Sequence, residues 1–282
     1  MSDASSLPSP AHAFDASLVL GPTDDTERFS LATSDTYWNM AGPFGGWLFA
    51  AGMKAILARQ TAGVVPVEAH ARFLAAAKPG DLSIRVTCQQ QGRSVGFWRA
   101  LISQNDANAD KACCEVSVIL ASPRASHDLT VAVMPDAPAP DQLHSIRLRG
   151  APVRWVNNYE FRYVNGLPFR NEVSEATTRL QSRLWVREAA ARPLDCLNLV
   201  ALADVVIPRV FLLQAGPSPV ATVSMSVYIH ATAEEIAASG SPWLLLDITC
   251  NTVRRGFFDH AVSIWREDGH LLATSTQLGW FQ

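Results

Sequence analysis

The second half of this 282-residue chain repeats the first. Residues 82–102, LSIRVTCQQQGRSVGFWRALI, align with residues 244–264, LLLDITCNTVRRGFFDHAVSI, and Leu82/Leu244, Thr87/Thr249, Cys88/Cys250, Arg93/Arg255 and Ile102/Ile264 are identical at one offset. Beyond a short extra loop around residues 107–110, Ser117 aligns with Ser275 and Leu120 with Leu278. Solenoid units run to roughly 20–50 residues, so a period near half the chain makes the unit a whole domain. Two related domains imply a pseudo-two-fold interface and a place for a site along it.

Each half reads as one helix followed by strands. In the first, Gly45 and Gly46 precede a run of helix formers at 47–60 whose cations, Lys54 and Arg59, fall late, as the helix dipole prefers. β-rich segments follow at 65–74, 81–91, 95–105 and 111–121, separated by Lys78-Pro79-Gly80, Gly92 and Asn105-Asp106. In the second, 194–207 is apolar nearly all round and stops at Pro208, which predicts a buried helix. Strands are predicted at 220–230, 243–253, 257–266 and 271–281, with Asp268-Gly269 as a hairpin turn. Strand-like sequence also precedes each helix, at 28–33, 159–164 and 179–187. Successive strands with short links mean antiparallel sheets. The expected divisions are a disordered lead at 1–13, a first domain at 14–122, a Pro-rich connection at 123–150 and a second domain at 151–282.

Composition excludes several partners. A net charge of −3 and no polybasic run give no electrostatic reason to bind nucleic acid or an anionic membrane. The first residues lack the positive start and apolar core of a signal peptide, and no stretch reaches the roughly 20 apolar residues that span a bilayer. Five cysteines without metal-binding spacing form no disulfide framework, and adjacent Cys113 and Cys114 point to opposite faces of a strand. The expectation is a soluble, cytoplasmic chain with no metal and no cofactor.

Few residues stand out chemically. Asp204 is the one charged residue between Asp195 and Arg209, and helical spacing puts it on a stripe with Leu197, Val200 and Ala201. A carboxylate there either is buried with partners, which marks a functional group, or reaches solvent at the helix end. Thr222 shares a predicted strand face with Ser224, Ser226, Tyr228 and His230, a pattern that by itself describes a solvated face. Gln277 lies on the last strand opposite Ile119 in the repeat, so the two halves differ in polarity there. Gly45 and Gly46 leave free N–H donors at a helix start that could touch a carbonyl or an anion, although close packing is the simpler explanation, since any helix start has such donors. Gly92-Arg93-Ser94-Val95-Gly96 fits G-x-S-x-G but joins two strands, so it reads as a hairpin turn and not a nucleophile elbow. His70 and His230 read as scaffold.

The pieces GPFGGW at 42–47, AHARFLAAAKPGD at 69–81, GRS at 92–94, ALAD, ATVSMSVYIH and DGHLLATSTQ resemble, in order and spacing, the double-hotdog acyl-CoA thioesterases of the thioesterase II type. The resemblance implies an α+β fold, a tandem hotdog in which each half is an antiparallel sheet wrapped around one long helix. It also implies hydrolysis of acyl-CoA by a water that Asp204, Thr222 and Gln277 orient, an apolar acyl groove beside the second helix, and the option of a homodimer. Because the repeat has Ile119 where Gln277 stands, one site per chain is expected. Two other functions stay open: a hotdog enoyl-CoA hydratase or dehydratase, which needs a histidine that neither predicted helix supplies, and a non-catalytic acyl-CoA-binding protein.

Overall fold

The structure is a computed structural model that describes residues 12–60, 63–106, 109–147, 153–169, 178–213 and 218–282. The first half contains α1 (Ala13–Ser17), β1 (Gly21–Pro22), β2 (Arg28–Ala32), α2 (Gly45–Leu57), β3 (Val65–Phe73), β4 (Asp81–Gln91), β5 (Val95–Asp106) and β6 (Ala109–Ala121). The second contains β7 (Tyr159–Asn165), β8 (Ser182–Glu188), α3 (Cys196–Leu202), β9 (Val220–Ile229), α4 (Ala233–Ala238), β10 (Leu244–Thr249), β11 (Val253–Arg254), β12 (Phe257–Arg266) and β13 (Leu271–Phe281). All strand pairs are antiparallel, and the order β1-β2-β4-β5-β6-β3-β9-β13-β12-β10-β8-β7 forms one 13-stranded sheet, with β11 beside β12. Part of the expected loop at 107–110, part of the connection before 153, and the lead before His12 lie outside the described residues.

The halves join edge to edge through β3 and β9. Ala69 pairs with Val227 and Ala71 with Met225, so the pairing reads the same from either strand, and His70 and Ser226 meet at its centre. The strands flanking this pair follow the same order outward on each side, β6-β5-β4-β2 and β13-β12-β10-β8. Closing both edges on each other satisfies backbone groups that two separate sheets would expose.

α2 is buried on nearly every side, which is why it is apolar all round. A Cβ at Gly52 would come 2.6 Å from Val116, so glycine lets α2 lie directly on β6. The second helix departs from expectation. α3 runs only from Cys196 to Leu202, and the predicted continuation through 207 is not helical. Asp195 caps its start by accepting from the Asn198 N–H at 2.7 Å, a contact generally worth about 1 kcal/mol. Its end follows from Val205-Val206-Ile207, a β-branched run leading into Pro208, which biases the residue before it toward extended backbone. The short α3 packs on α2, so the second half is not a sheet around one long helix.

Three further features were not foreseen. α1 begins at Ala13, where the lead was expected to end. Arg192 bonds both Asp15, at 2.7 Å, and Asp195, and lies over the Phe14 ring, so it pins α1 to the second half. α4 opens with a reciprocal capping box between Thr232 and Glu235, a signature present in the sequence. The connection after β6 is largely irregular but is held on the second half: Trp185 donates to the Pro138 carbonyl at 2.9 Å and Arg183 to that of Asp136 at 2.8 Å. No helix among the described residues is long and apolar enough to cross a membrane, and the five cysteines are free.

Candidate active site

Because α3 ends at Leu202, Asp204 sits just beyond it, where the chain turns toward Pro208. The carboxylate does not escape to solvent: the residue is 8% exposed. It faces the start of α2, where Phe44 provides no side-chain cap and the Gly45 and Gly46 N–H groups are left for other partners. A Cβ at Gly45 would lie 2.6 Å from Asp204 Oδ2, and one at Gly46 would lie 2.7 Å from the Ala201 carbonyl and the Phe44 ring. Close packing and donor geometry, weighed as alternatives in the sequence, therefore operate together. Burial pushes the Asp204 carboxyl up to about 7, while the Gly46 N–H and Gln277 pull in the opposite direction by bonding the charged form.

Gln277 is buried on the inner face of β13 and donates from Nε2 to Asp204 Oδ1 at 3.0 Å and to the Ala203 carbonyl at 3.4 Å. Its counterpart in the first half is Val118, not Ile119. Trp98 pairs with Val118 on β5 and β6 as His260 pairs with Gln277 on β12 and β13, and Val118 faces inward whereas Ile119 does not. The same register shift follows Ile102 and its counterpart Ile264, so it does not separate the halves. The one-residue error lies in the hairpin between the strands: Ile102 pairs with Cys114 and Ile264 with Ala273, which makes the first hairpin longer by three residues and not by the four that the sequence alignment assigns to it. The contrast in polarity between the halves survives the correction.

Thr222 is also placed differently from its simple alternation. Ser224 pairs with Leu278 but Thr222 pairs with Gly279, so Val223 is an extra residue and the facing reverses there. Partners in an antiparallel pair point to the same side, so Thr222 shares the inner face with Gly279 and Gln277 and not the outer face with Ser224. The same shift occurs on β3, between Pro66 and Glu68, which makes Pro66 the counterpart of Thr222. Thr222 lines the same cavity as Asp204, of about 530 Å³. Among the described residues no hydrogen bond joins the two side chains directly.

That cavity lies at the start of α2 and beside residues 206–208, not along α3. Its wall is mostly apolar, including Leu48, Phe73, Trp155, Ile207 and Phe211, with Gly45 at the polar end near Asp204. Phe44 and Trp155 stack at 4.3 Å and 12° to form one side.

His260 was not singled out in the sequence and belongs to this site. It is 2% exposed, its Nε2 accepts from the Arg209 backbone N–H at 3.0 Å, and its Nδ1 lies 3.3 Å from Gln277 Oε1. A usable signal existed, since His260 aligns with Trp98 and falls on the same strand face as Phe258 and Val262. The histidines that were considered lie elsewhere: His70 Nδ1 meets Ser226 Oγ at 2.8 Å, and His230 Nε2 meets Thr274 Oγ1 at 2.9 Å. The G-x-S-x-G segment is the turn between β4 and β5, closed by Gly92 N–H to the Val95 carbonyl at 2.8 Å. Among the described residues no group of His, Cys, Asp and Glu could hold a metal ion.

Residues 34–121 match the acyl-CoA thioesterase N-terminal domain, and residues 124–281 match the acyl-CoA thioesterase C-terminal domain. No curated protein sequence matches the chain. Among solved structures, a conserved protein of unknown function with a hot dog fold from Alicyclobacillus acidocaldarius is 30% identical, with a TM-score of 0.87 over 96% of this chain and 98% of the other. The tesB protein of Mycobacterium avium subs paratuberculosis is 20% identical, with a TM-score of 0.72 over 95% and 98%. Acyl-CoA thioesterase II TesB2 from Mycobacterium marinum is 16% identical, with a TM-score of 0.73 over 96% and 97%. The last two likenesses speak to fold.

Proposed function

Since the chain belongs to the acyl-CoA thioesterase family, we propose that it hydrolyses acyl-CoA thioesters to free acid and CoA by direct attack of a water that Asp204, Thr222 and Gln277 position. We further propose that its halves, residues 14–122 and 151–282, are two hotdog domains in tandem, linked by 123–150. The observation that carries the functional reading is the buried Asp204 carboxylate, held by Gln277 and the start of α2 against the polar end of an apolar cavity.

The chemistry follows from these positions. In the proposed reaction a water bound between Asp204 and Thr222 occupies the end of a cavity whose wall suits an acyl chain. Asp204, ionised, accepts the water proton as oxygen bonds to the thioester carbon, and the carbonyl electrons move to oxygen. The unclaimed Gly45 N–H, beside Asp204 at the α2 start, is placed to donate to that oxyanion. Collapse breaks the carbon–sulfur bond, and the proton held by Asp204 passes to the departing thiolate. Acid and free thiol result, and Asp204 is ready again without a covalent intermediate. Gln277 keeps the carboxylate aimed throughout.

One site per chain fits this reading, because the positions of Thr222, Gln277 and His260 are taken in the first half by Pro66, Val118 and Trp98. A hydratase fits less well. None of the described residues lining the cavity is a histidine, and His260 is behind Gln277. The test is purified protein with saturated and 2-enoyl-CoA thioesters of several chain lengths, following free thiol and enoyl absorbance separately. Thiol release supports the proposal. Loss of the enoyl group without thiol establishes a hydratase, and binding with neither change establishes an acyl-CoA-binding protein.

A further inference from the structure

We propose that His260 is a positioning residue: carrying its proton on Nδ1, it fixes the Gln277 amide so that the NH2 group, and not the oxygen, faces Asp204, with the Arg209 backbone N–H selecting that tautomer. The inference rests on the reading of Asp204 and Gln277 as the working groups.

The chain of donors determines each member. A backbone N–H can only donate, so His260 Nε2, 3.0 Å from the Arg209 nitrogen, must be a bare acceptor. In a neutral imidazole the proton is then on Nδ1, which lies 3.3 Å from Gln277. A donor there requires the amide oxygen to face it, and this turns the amide nitrogen to Asp204 Oδ1 at 3.0 Å. The opposite orientation would set two N–H donors against each other at His260 and an oxygen against the carboxylate at Asp204. The imidazole stays neutral because burial, followed by the nearby Arg209 guanidinium, depresses its titration to about 3. The Gln277 hydrogen bond and, more weakly, Asp259 act the other way, and the Phe258 ring lies 5.0 Å from the imidazole ring.

Two observations separate this role from general scaffolding. Trp98 and Val118 hold the same paired positions in the first half, so the fold does not require a polar pair there. Arg209 is completely buried, and its Nε bonds the Ile207 carbonyl at 3.0 Å, in the segment that lines the cavity. The element that sets the tautomer is thus continuous with the cavity wall.

The test uses the full chain, His260→Leu, which cannot donate, and His260→Asn, whose amide nitrogen can occupy the Nδ1 position. Histidine nitrogen NMR of the wild type should show a neutral Nδ1–H tautomer for His260. Carbon NMR should show the Asp204 carboxyl titrating about one pH unit higher in His260→Leu, as one donor to the charged form is lost, and near wild type in His260→Asn. With acyl-CoA, kcat should fall about 10-fold or more in His260→Leu with KM nearly unchanged, its acid limb moving up with Asp204, and should stay within about 5-fold of wild type in His260→Asn. An Nε2–H tautomer, or an unmoved Asp204 titration in folded His260→Leu, overturns the proposal. If His260→Leu does not fold, an Asp204 titration in His260→Asn displaced by more than that amount also overturns it. Absence of thiol release by the wild type overturns the thioesterase reading instead, and the NMR measurements still decide the role of His260.

Discussion

Asp204→Asn separates the burial of this carboxylate from every other titration in the protein. The folded Asp204 titrates near 7 against 3.8 for an unperturbed aspartate, and at about 1.36 kcal/mol per pH unit that difference corresponds to roughly 4 kcal/mol. The sign follows from the raised value. The native state binds this proton more tightly than the unfolded chain, so the contribution is fully present below about 3.8, falls as pH rises, and is gone above about 7. About 3 kcal/mol of the loss falls between pH 5 and pH 8. Asparagine cannot ionise, and its oxygen can still accept from the Gly46 N–H. Urea unfolding of both proteins at pH 5 and pH 8 should show the wild type losing about 3 kcal/mol more than the variant. Glu188, also buried and pushed up to about 7, is present in both proteins and cancels in the comparison. Equal losses in the two proteins would refute a buried, ionisable Asp204.

Other substitutions address the remaining parts. Thr222→Val should lower kcat about 10- to 100-fold with little change in KM, and Thr222→Ser should recover most of it, measured by steady-state thiol release. Gly45→Ala puts a methyl group 2.6 Å from Asp204 Oδ2 and should displace the carboxylate, lowering kcat about 100-fold in a folded protein. Trp155→Ala removes the ring stacked on Phe44 and should move the chain-length optimum toward longer acyl-CoA thioesters, at roughly 3–5 kcal/mol in stability by urea unfolding.

Much of the fold was legible because period-two patterning and turn residues are local signals. β4 and β12, for example, begin and end at Asp81–Gln91 and Phe257–Arg266, as the sequence reading has them. The end of α3 was not legible by periodicity, since a continuously apolar segment looks alike whether helical or extended. The better signal was chemical, in the Asp195 cap and the β-branched run before Pro208. Thr222 was picked out only by resemblance, because a register shift on β9 reverses its facing and alternation cannot anticipate an extra residue. The counterpart of Gln277 moved from Ile119 to Val118 for a different reason, a hairpin between β5 and β6 that is three and not four residues longer than its partner in the second half. His260 was missed because a lone histidine on an apolar strand face gains meaning only from neighbours distant in sequence. The joining of β3 to β9 likewise depends on contacts between halves, which a repeat suggests but does not specify.

The most direct test is the pH profile of acyl-CoA hydrolysis by the wild type and Asp204→Asn, with native folding of both checked first. Wild-type kcat should rise with pH through about 7 as Asp204 ionises, matching its buried titration. Asp204→Asn should release thiol at less than about 1% of that rate across the range. Thiol release by folded Asp204→Asn at a wild-type rate would contradict the assignment of Asp204 as the group that takes the water proton.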